Sequence, residues 1–96
     1  MHQLLVLYSS PDDLEAFRRY YMAVHLPLAR KLPGLISAEV VFPQPLGAQP
    51  SPWFCIFTAR FADEAAMMAA LQPPAGEAAA ADIPNFSLSG ATLLHA

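Results

Sequence analysis

Apolar and polar positions along the chain divide it into strands and helices with little ambiguity. Residues 2 to 8, HQLLVLY, are a run of apolar strand formers stopped by Ser9, Ser10 and Pro11, and they predict a first strand. Leu14, Phe17, Tyr21, Val24 and Leu28 then recur at three- and four-residue steps, which is the apolar stripe of an amphipathic helix. Ser10 or Asp12 is placed to cap its start. Asp12, Asp13 and Glu15 at that end, with Arg30 and Lys31 at the other, match the helix dipole. At roughly 100° per residue, His25 falls on the edge of the stripe, beside Arg18 and one turn after Tyr21. Pro27 lacks an amide hydrogen and its ring crowds the preceding turn, so the helix is expected to kink or end near His25, leaving the imidazole by an open helix end. Pro33 and Gly34 close the segment as a turn.

LISAEVVF, residues 35 to 42, predicts a second strand, and WFCIFTARF, residues 53 to 61, a third. The Pro-rich connector from Pro43 to Pro52 cannot be a strand. Asp63 opens an Ala- and Met-rich helix up to about Gln72, in which Met67 and Met68 suit either core filling or an adaptable cavity wall. Pro73 and Pro74 precede a short helix, AGEAAAAD, and LSGATLLHA supplies a last strand. This order is the βαββαβ of the ferredoxin-like layout, an α+β fold with one sheet covered by helices on one face, formed as a single domain over residues 1–96.

The strand pattern asks for more than that. Leu4 and Val6 oppose Leu5 and Leu7, while Trp53, Cys55 and Phe57 oppose Phe54 and Ile56, so both sheet faces want cover. Two helical segments can cover only one. The same sheet of a second copy is the simplest cover for the other, and a two-fold homodimer with a sheet-on-sheet core is expected.

Composition narrows the classes of function. Hydrophobic residues make up 55% of the 96 positions, ample for one core. Only five Lys and Arg residues and a net charge of −3 leave no basic patch, so no nucleic-acid partner is expected. The single cysteine, Cys55, cannot form an internal disulfide, and no stretch has zinc-site spacing, so neither metal nor cofactor is expected. The first apolar run is too short for a membrane span and lacks the marks of a signal peptide, which reads as a cytoplasmic protein without a membrane partner. His2 and His95, near the termini, carry no signal of their own.

SPDDLEAFRRYYMAVHLPLARKLPGL, then WFCIFTARFADEAAMMAAL, then GEAAAADIPNFS resemble, in this order, the EthD family of the dimeric α+β barrel superfamily, named for ethyl tert-butyl ether degradation. Tyr21, His25, Pro27, Leu28, Pro33 and Gly34, with Ala81, Asp82, Ile83, Asn85 and Phe86 downstream, carry the most specific part of the likeness. The resemblance implies a dimer whose subunits each keep a cleft between sheet and helices, with His25 near its opening. It implies no single reaction: the superfamily includes lactone isomerases, cofactor-free monooxygenases, and dehydratases or decarboxylases of aromatic polyketides, and other relatives bind haem.

His25 is the leading candidate for chemistry, because an imidazole can give or take a proton near neutral pH without a cofactor. The same residue could instead hold the helix end against the sheet through a backbone carbonyl. Tyr21, one turn earlier, could orient a substrate oxygen or only fill the core, and Asp82 could orient His25 or only cap a helix end. Trp53, Phe86, Arg18 and Asn85 are candidate substrate contacts: an aromatic wall, a loop anchor, a cation for an anionic group, and a polar neighbour of Asp82. Tyr20, off the stripe, reads as a surface or dimer contact.

Absent a Ser, His and acid set, a Gly-rich phosphate loop or an HExxH motif, what remains is proton transfer by one histidine on a small apolar carbonyl or aromatic compound. Two other readings stay open. One is a non-catalytic dimer that binds or carries a metabolite; the other is haem binding through His25, which rests on the superfamily alone.

Overall fold

The computed structural model describes all 96 residues, Met1–Ala96. Strand β1 covers His2–Tyr8, helix α1 Leu14–Tyr20, and a short helix α2 Leu26–Ala29, with a turn of π-helix at Tyr21–His25 between the two helices. Strand β2 (Ser37–Val41), strand β3 (Cys55–Phe61), helix α3 (Glu64–Ala70), helix α4 (Ala75–Asp82), a single 3-10 turn at Ile83–Asn85 and strand β4 (Thr92–His95) follow. The antiparallel sheet runs β2-β3-β1-β4, the ferredoxin-like α+β arrangement that the pattern implies. No helix is long and apolar enough to cross a membrane.

The expected ends shift by a few residues. The cap of α1 is Asp13, whose carboxylate accepts from the Ala16 amide at 3.0 Å, rather than Ser10 or Asp12. Strand β2 starts at Ser37 and β3 at Cys55, because the residues before them run as connector, and α3 stops at Ala70, short of Gln72. Asp63 caps α3 as expected, accepting from Ala66 at 2.8 Å.

The larger departure is at Pro27. The helix neither ends there nor leaves His25 at an open end. The Leu26 amide donates to the Tyr21 carbonyl five residues back, so the chain widens by one residue, passes the proline and resumes as α2 with Pro27 in its first turn. That extra residue advances the buried face, which runs Phe17, Tyr21, then His25 and Leu26, then Ala29. Val24, which an unbroken α-helix would bury, is 40% exposed, and His25 is only 4% exposed. Leu14, at the start of the expected stripe, also lies outside, 50% exposed.

The core sits between the helices and one sheet face. Leu4, Val6 and Tyr8 from β1 meet Cys55, Phe57, Ala59 and Phe61 from β3, covered by Phe17, Tyr21, Leu26, Ala29 and Met67. The period of two along both strands sets this face. On the opposite face the register aligns Leu7 with Ile56, Ile56 with Val41 and Leu5 with Leu94, none of them in the helix-side core. Half of Val41 and of Leu94 is open to solvent, so within one chain this row of apolar side chains is only partly covered.

Candidate functional site

The π turn and the end of α4 converge on a buried polar pair. His25 Nδ1 lies 2.9 Å from Asp82 Oδ2. The other carboxylate oxygen, Oδ1, accepts from the Tyr20 hydroxyl at 2.6 Å and from Asn85 Nδ2 at 3.0 Å. Asp82 is thus held by three side chains and makes no helix cap, the opposite of the capping role that its place at a helix end allows. Tyr20 is half-buried in this network rather than a surface contact.

Charge follows from those partners. Burial pushes the Asp82 carboxyl up, but hydrogen bonds from Tyr20, Asn85 and His25 together outweigh it and hold the group below its usual value, as a carboxylate. Burial lowers His25, and the nearby carboxylate only partly restores it, so the imidazole is neutral at pH 7. An anionic Asp82 accepts only, which places the His25 hydrogen on Nδ1 and a free lone pair on Nε2. Nε2 has no protein partner and is not among the sealed polar atoms.

His25 borders a cavity of about 60 Å³ shared with Leu4, Val6, Tyr8, Phe57, Leu71 and Leu93. At roughly 30 Å³ per water this is room for about two waters, well under the ~300 Å³ of the smallest usual ligand pockets. The wall is almost wholly apolar. Phe86 packs on the imidazole at 4.6 Å between centroids and Tyr21 at 5.1 Å, so its plane is clamped from two directions.

Two larger grooves lie elsewhere. One of 520 Å³ runs over the outer face of α1 past Glu15 and Arg19; the other, of 430 Å³, passes between the Ser9–Asp13 segment and Pro84–Ser89. The second touches Tyr20 and Asn85, but neither reaches His25.

Of the candidates read from sequence, His25, Asp82, Asn85 and Phe86 come together. Tyr21 is beside them through its ring alone: its buried hydroxyl has no hydrogen-bond partner, although the Tyr8 phenol is near enough to act on it. Arg18 and Trp53 are not brought to His25. The Arg18 guanidinium lies over Phe42 at 4.6 Å and Phe54 at 5.7 Å, and Trp53 engages Ser51 ahead of β3. Met67 is core and Met68 is half-exposed, and neither borders the cavity.

Two tyrosines join the site that the pattern did not single out. Tyr8 closes β1 on the helix-covered face and borders the cavity; the alternation Leu4, Val6, Tyr8 already carried that signal. Burial pushes its phenol well above the ordinary value, so it stays protonated and able to donate. Tyr20 gave no local signal, because its partner is 62 residues away.

Residues 11–89 match the EthD domain family. The chain is 29% identical over 94 residues to an uncharacterised 11.0 kDa protein of the thcB-thcC intergenic region of Rhodococcus erythropolis, covering 98% of this chain and 91% of that one. A crystal structure of an EthD family protein from Bacillus halodurans superposes with a TM-score of 0.93 at 28% identity, over 100% of this chain and 96% of the other. A dimeric ferredoxin-like protein of unknown function from Jannaschia sp. CCS1 shares the fold, with a TM-score of 0.63 at 20% identity over 99% and 95% of the two chains.

Proposed function

Because the chain belongs to the EthD domain family, we propose that it is a small-molecule-binding homodimer in which His25 moves a proton on a small apolar carbonyl or aromatic compound, without a cofactor. The observation that carries this reading is one ring with two different sides: Nδ1 is engaged by Asp82, Nε2 has no protein partner, and the residue borders an apolar cavity. A carboxylate behind an imidazole fixes its tautomer and stabilises the imidazolium that forms when the far nitrogen takes a proton.

The step is an enolisation. Nε2 takes a proton from the carbon beside the carbonyl, the C–H electron pair becomes the C=C bond of the enolate while the carbonyl π pair moves onto oxygen, and the imidazolium returns the proton to carbon or oxygen. Tyr8 lines the cavity and is kept as a neutral phenol, and in this reading it donates to the developing oxyanion. Arg18 and Trp53 have no part in it. Tyr21 supports it by packing on the imidazole.

The row Leu5, Leu7, Ile56, Val41 and Leu94 supports the homodimer, and a neighbour of the same fold is described as dimeric. The apolar wall, in which only His25 and Tyr8 carry polar side-chain atoms, supports a second reading, a dimer that only holds a small metabolite. A haem does not fit there.

Incubation with small ketones, lactones and phenols in D2O separates the readings. Deuterium appearing at the carbon beside a carbonyl, lost in a folded His25→Gln variant, is the expected result. Compounds that raise the melting temperature yet gain no deuterium would establish the carrier instead.

A further inference from the structure

The helix-covered face of the sheet ends, beyond the cavity, in three metal-ligating side chains from three elements. His2 opens β1, His95 closes β4 and Glu64 begins α3. His2 Nε2 is 2.8 Å from His95 Nδ1 and 4.0 Å from Glu64 Oε1, and one ligand atom from each residue lies within 4.8 Å of the others. The register explains the meeting. His95 pairs with Leu4, and Gln3 and Ala96 exchange backbone hydrogen bonds at 2.8 and 3.0 Å, which sets His2 and His95 diagonally on one face. His2 pairs with Phe61 at the end of β3, and Glu64 follows after the short link into α3.

We propose that His2, Glu64 and His95 form a binding site for a divalent transition-metal ion of the zinc type. Two imidazoles set nitrogen to nitrogen at 2.8 Å share a single hydrogen between two lone pairs. A cation bound by both nitrogens takes the place of that hydrogen.

The movement required is small. Tetrahedral zinc with Zn–N bonds of about 2.05 Å holds its ligand nitrogens roughly 3.3 Å apart. The two rings therefore open by about half an ångström, and the Glu64 carboxylate closes by about 0.7 Å on His2 and by up to about 1.5 Å on His95. Glu64 and His95 are exposed and His2 is half-buried, so side-chain rotation supplies this without moving the sheet. Water takes the fourth position at this open site.

Donor type sets the class of ion. Two imidazoles and one carboxylate suit zinc, nickel or copper, whereas magnesium and calcium take all-oxygen shells. The site shares no residue with the His25 pair. Two residues of the cavity wall are its near neighbours: Leu4 lies two residues from His2 and Leu93 two residues from His95, on the same face. An ion here ties β4, a four-residue edge strand exposed along its length, to β1 and α3 beside the cavity wall.

Calorimetric titration of the tag-free full chain with zinc chloride, and melting with zinc or with EDTA, test this. The expected results are one zinc per chain, a higher melting temperature with zinc, and no response to magnesium. His95→Ala and Glu64→Gln, whose exposed positions leave the apo fold intact, should each weaken zinc by about tenfold or more, as loss of metal-site partners generally does. Absence of saturable zinc binding, or an affinity unchanged in both variants because the amino terminus holds the ion, would overturn the proposal.

Discussion

His25 Nδ1 and Asp82 Oδ2 sit 2.9 Å apart in the interior although 57 residues of chain separate them. The contact depends on the π turn, since an unbroken α-helix would direct Val24 inward and carry the imidazole toward the rim. Its consequences for activity and stability can be measured separately.

Asp82→Asn keeps the shape of the carboxylate but removes its charge, leaving the imidazole free to take the other tautomer. Proton exchange into a carbonyl substrate should fall by about 10²-fold or more, the usual size of a general acid-base contribution. Deuterium incorporation followed by NMR reads the loss, and an unchanged rate would leave the pair with only a structural role.

Tyr20→Phe removes the 2.6 Å hydrogen bond to Asp82 and leaves the chain otherwise intact. A modest loss of stability is expected, because the donor is only partly buried and water partly replaces the bond. Urea unfolding checks it, with a lowered midpoint and an unchanged slope.

Stability should fall on mild acidification. Burial, the larger influence, lowers His25 in the fold despite Asp82, so the unfolded chain binds the proton more readily, near its ordinary pKa of about 6.5. The contribution is complete above that value and is lost as pH falls through it toward the folded value. Asp82, depressed by its three donors, adds a further loss at lower pH, between the ordinary carboxylate range and its own folded value. Urea midpoints from pH 7.5 to 4.5 should decline, and His25→Gln should flatten the upper part of that decline.

Gly76→Ala probes the wall of the cavity. A Cβ at Gly76 would overlap the backbone of Leu71, where the end of α3 meets α4, and Gly76 borders the cavity. Overpacking of this kind costs about 1–3 kcal/mol. A lower melting temperature is expected, and a neutral result would mean that α4 can shift freely.

Ile56→Asp addresses the second face of the sheet. Ile56 lies between Leu7 and Val41 in register, at the middle of the apolar row. Sedimentation should show a dimer for the parent chain and a folded monomer for the variant.

Much of this was legible in the chain. The apolar run of strand formers gave β1 from His2 to Tyr8, apolar residues on both sides of its period-two pleat gave the two apolar faces of the sheet, and AGEAAAAD gave α4 residue for residue. Pro27 was readable as a disturbance but not as a π turn, because whether a helix stops or widens at a proline is decided by what holds the far side. Here that includes the His25 pair with Asp82 and the packing of Leu26 and Ala29 in the core. Tyr20, and the trio His2, Glu64 and His95, were not readable at all. Their partners come from distant parts of the chain, and only the sheet register and helix packing bring them together.

The nitrogen-15 spectrum of His25 at pH 7 is the most direct measurement of the site's chemistry. A neutral ring carrying its hydrogen on Nδ1, with an unprotonated Nε2 whose signal moves when a carbonyl ligand is added, is the predicted result. A hydrogen on Nε2, or an Nε2 signal indifferent to every bound ligand, would contradict proton transfer by His25.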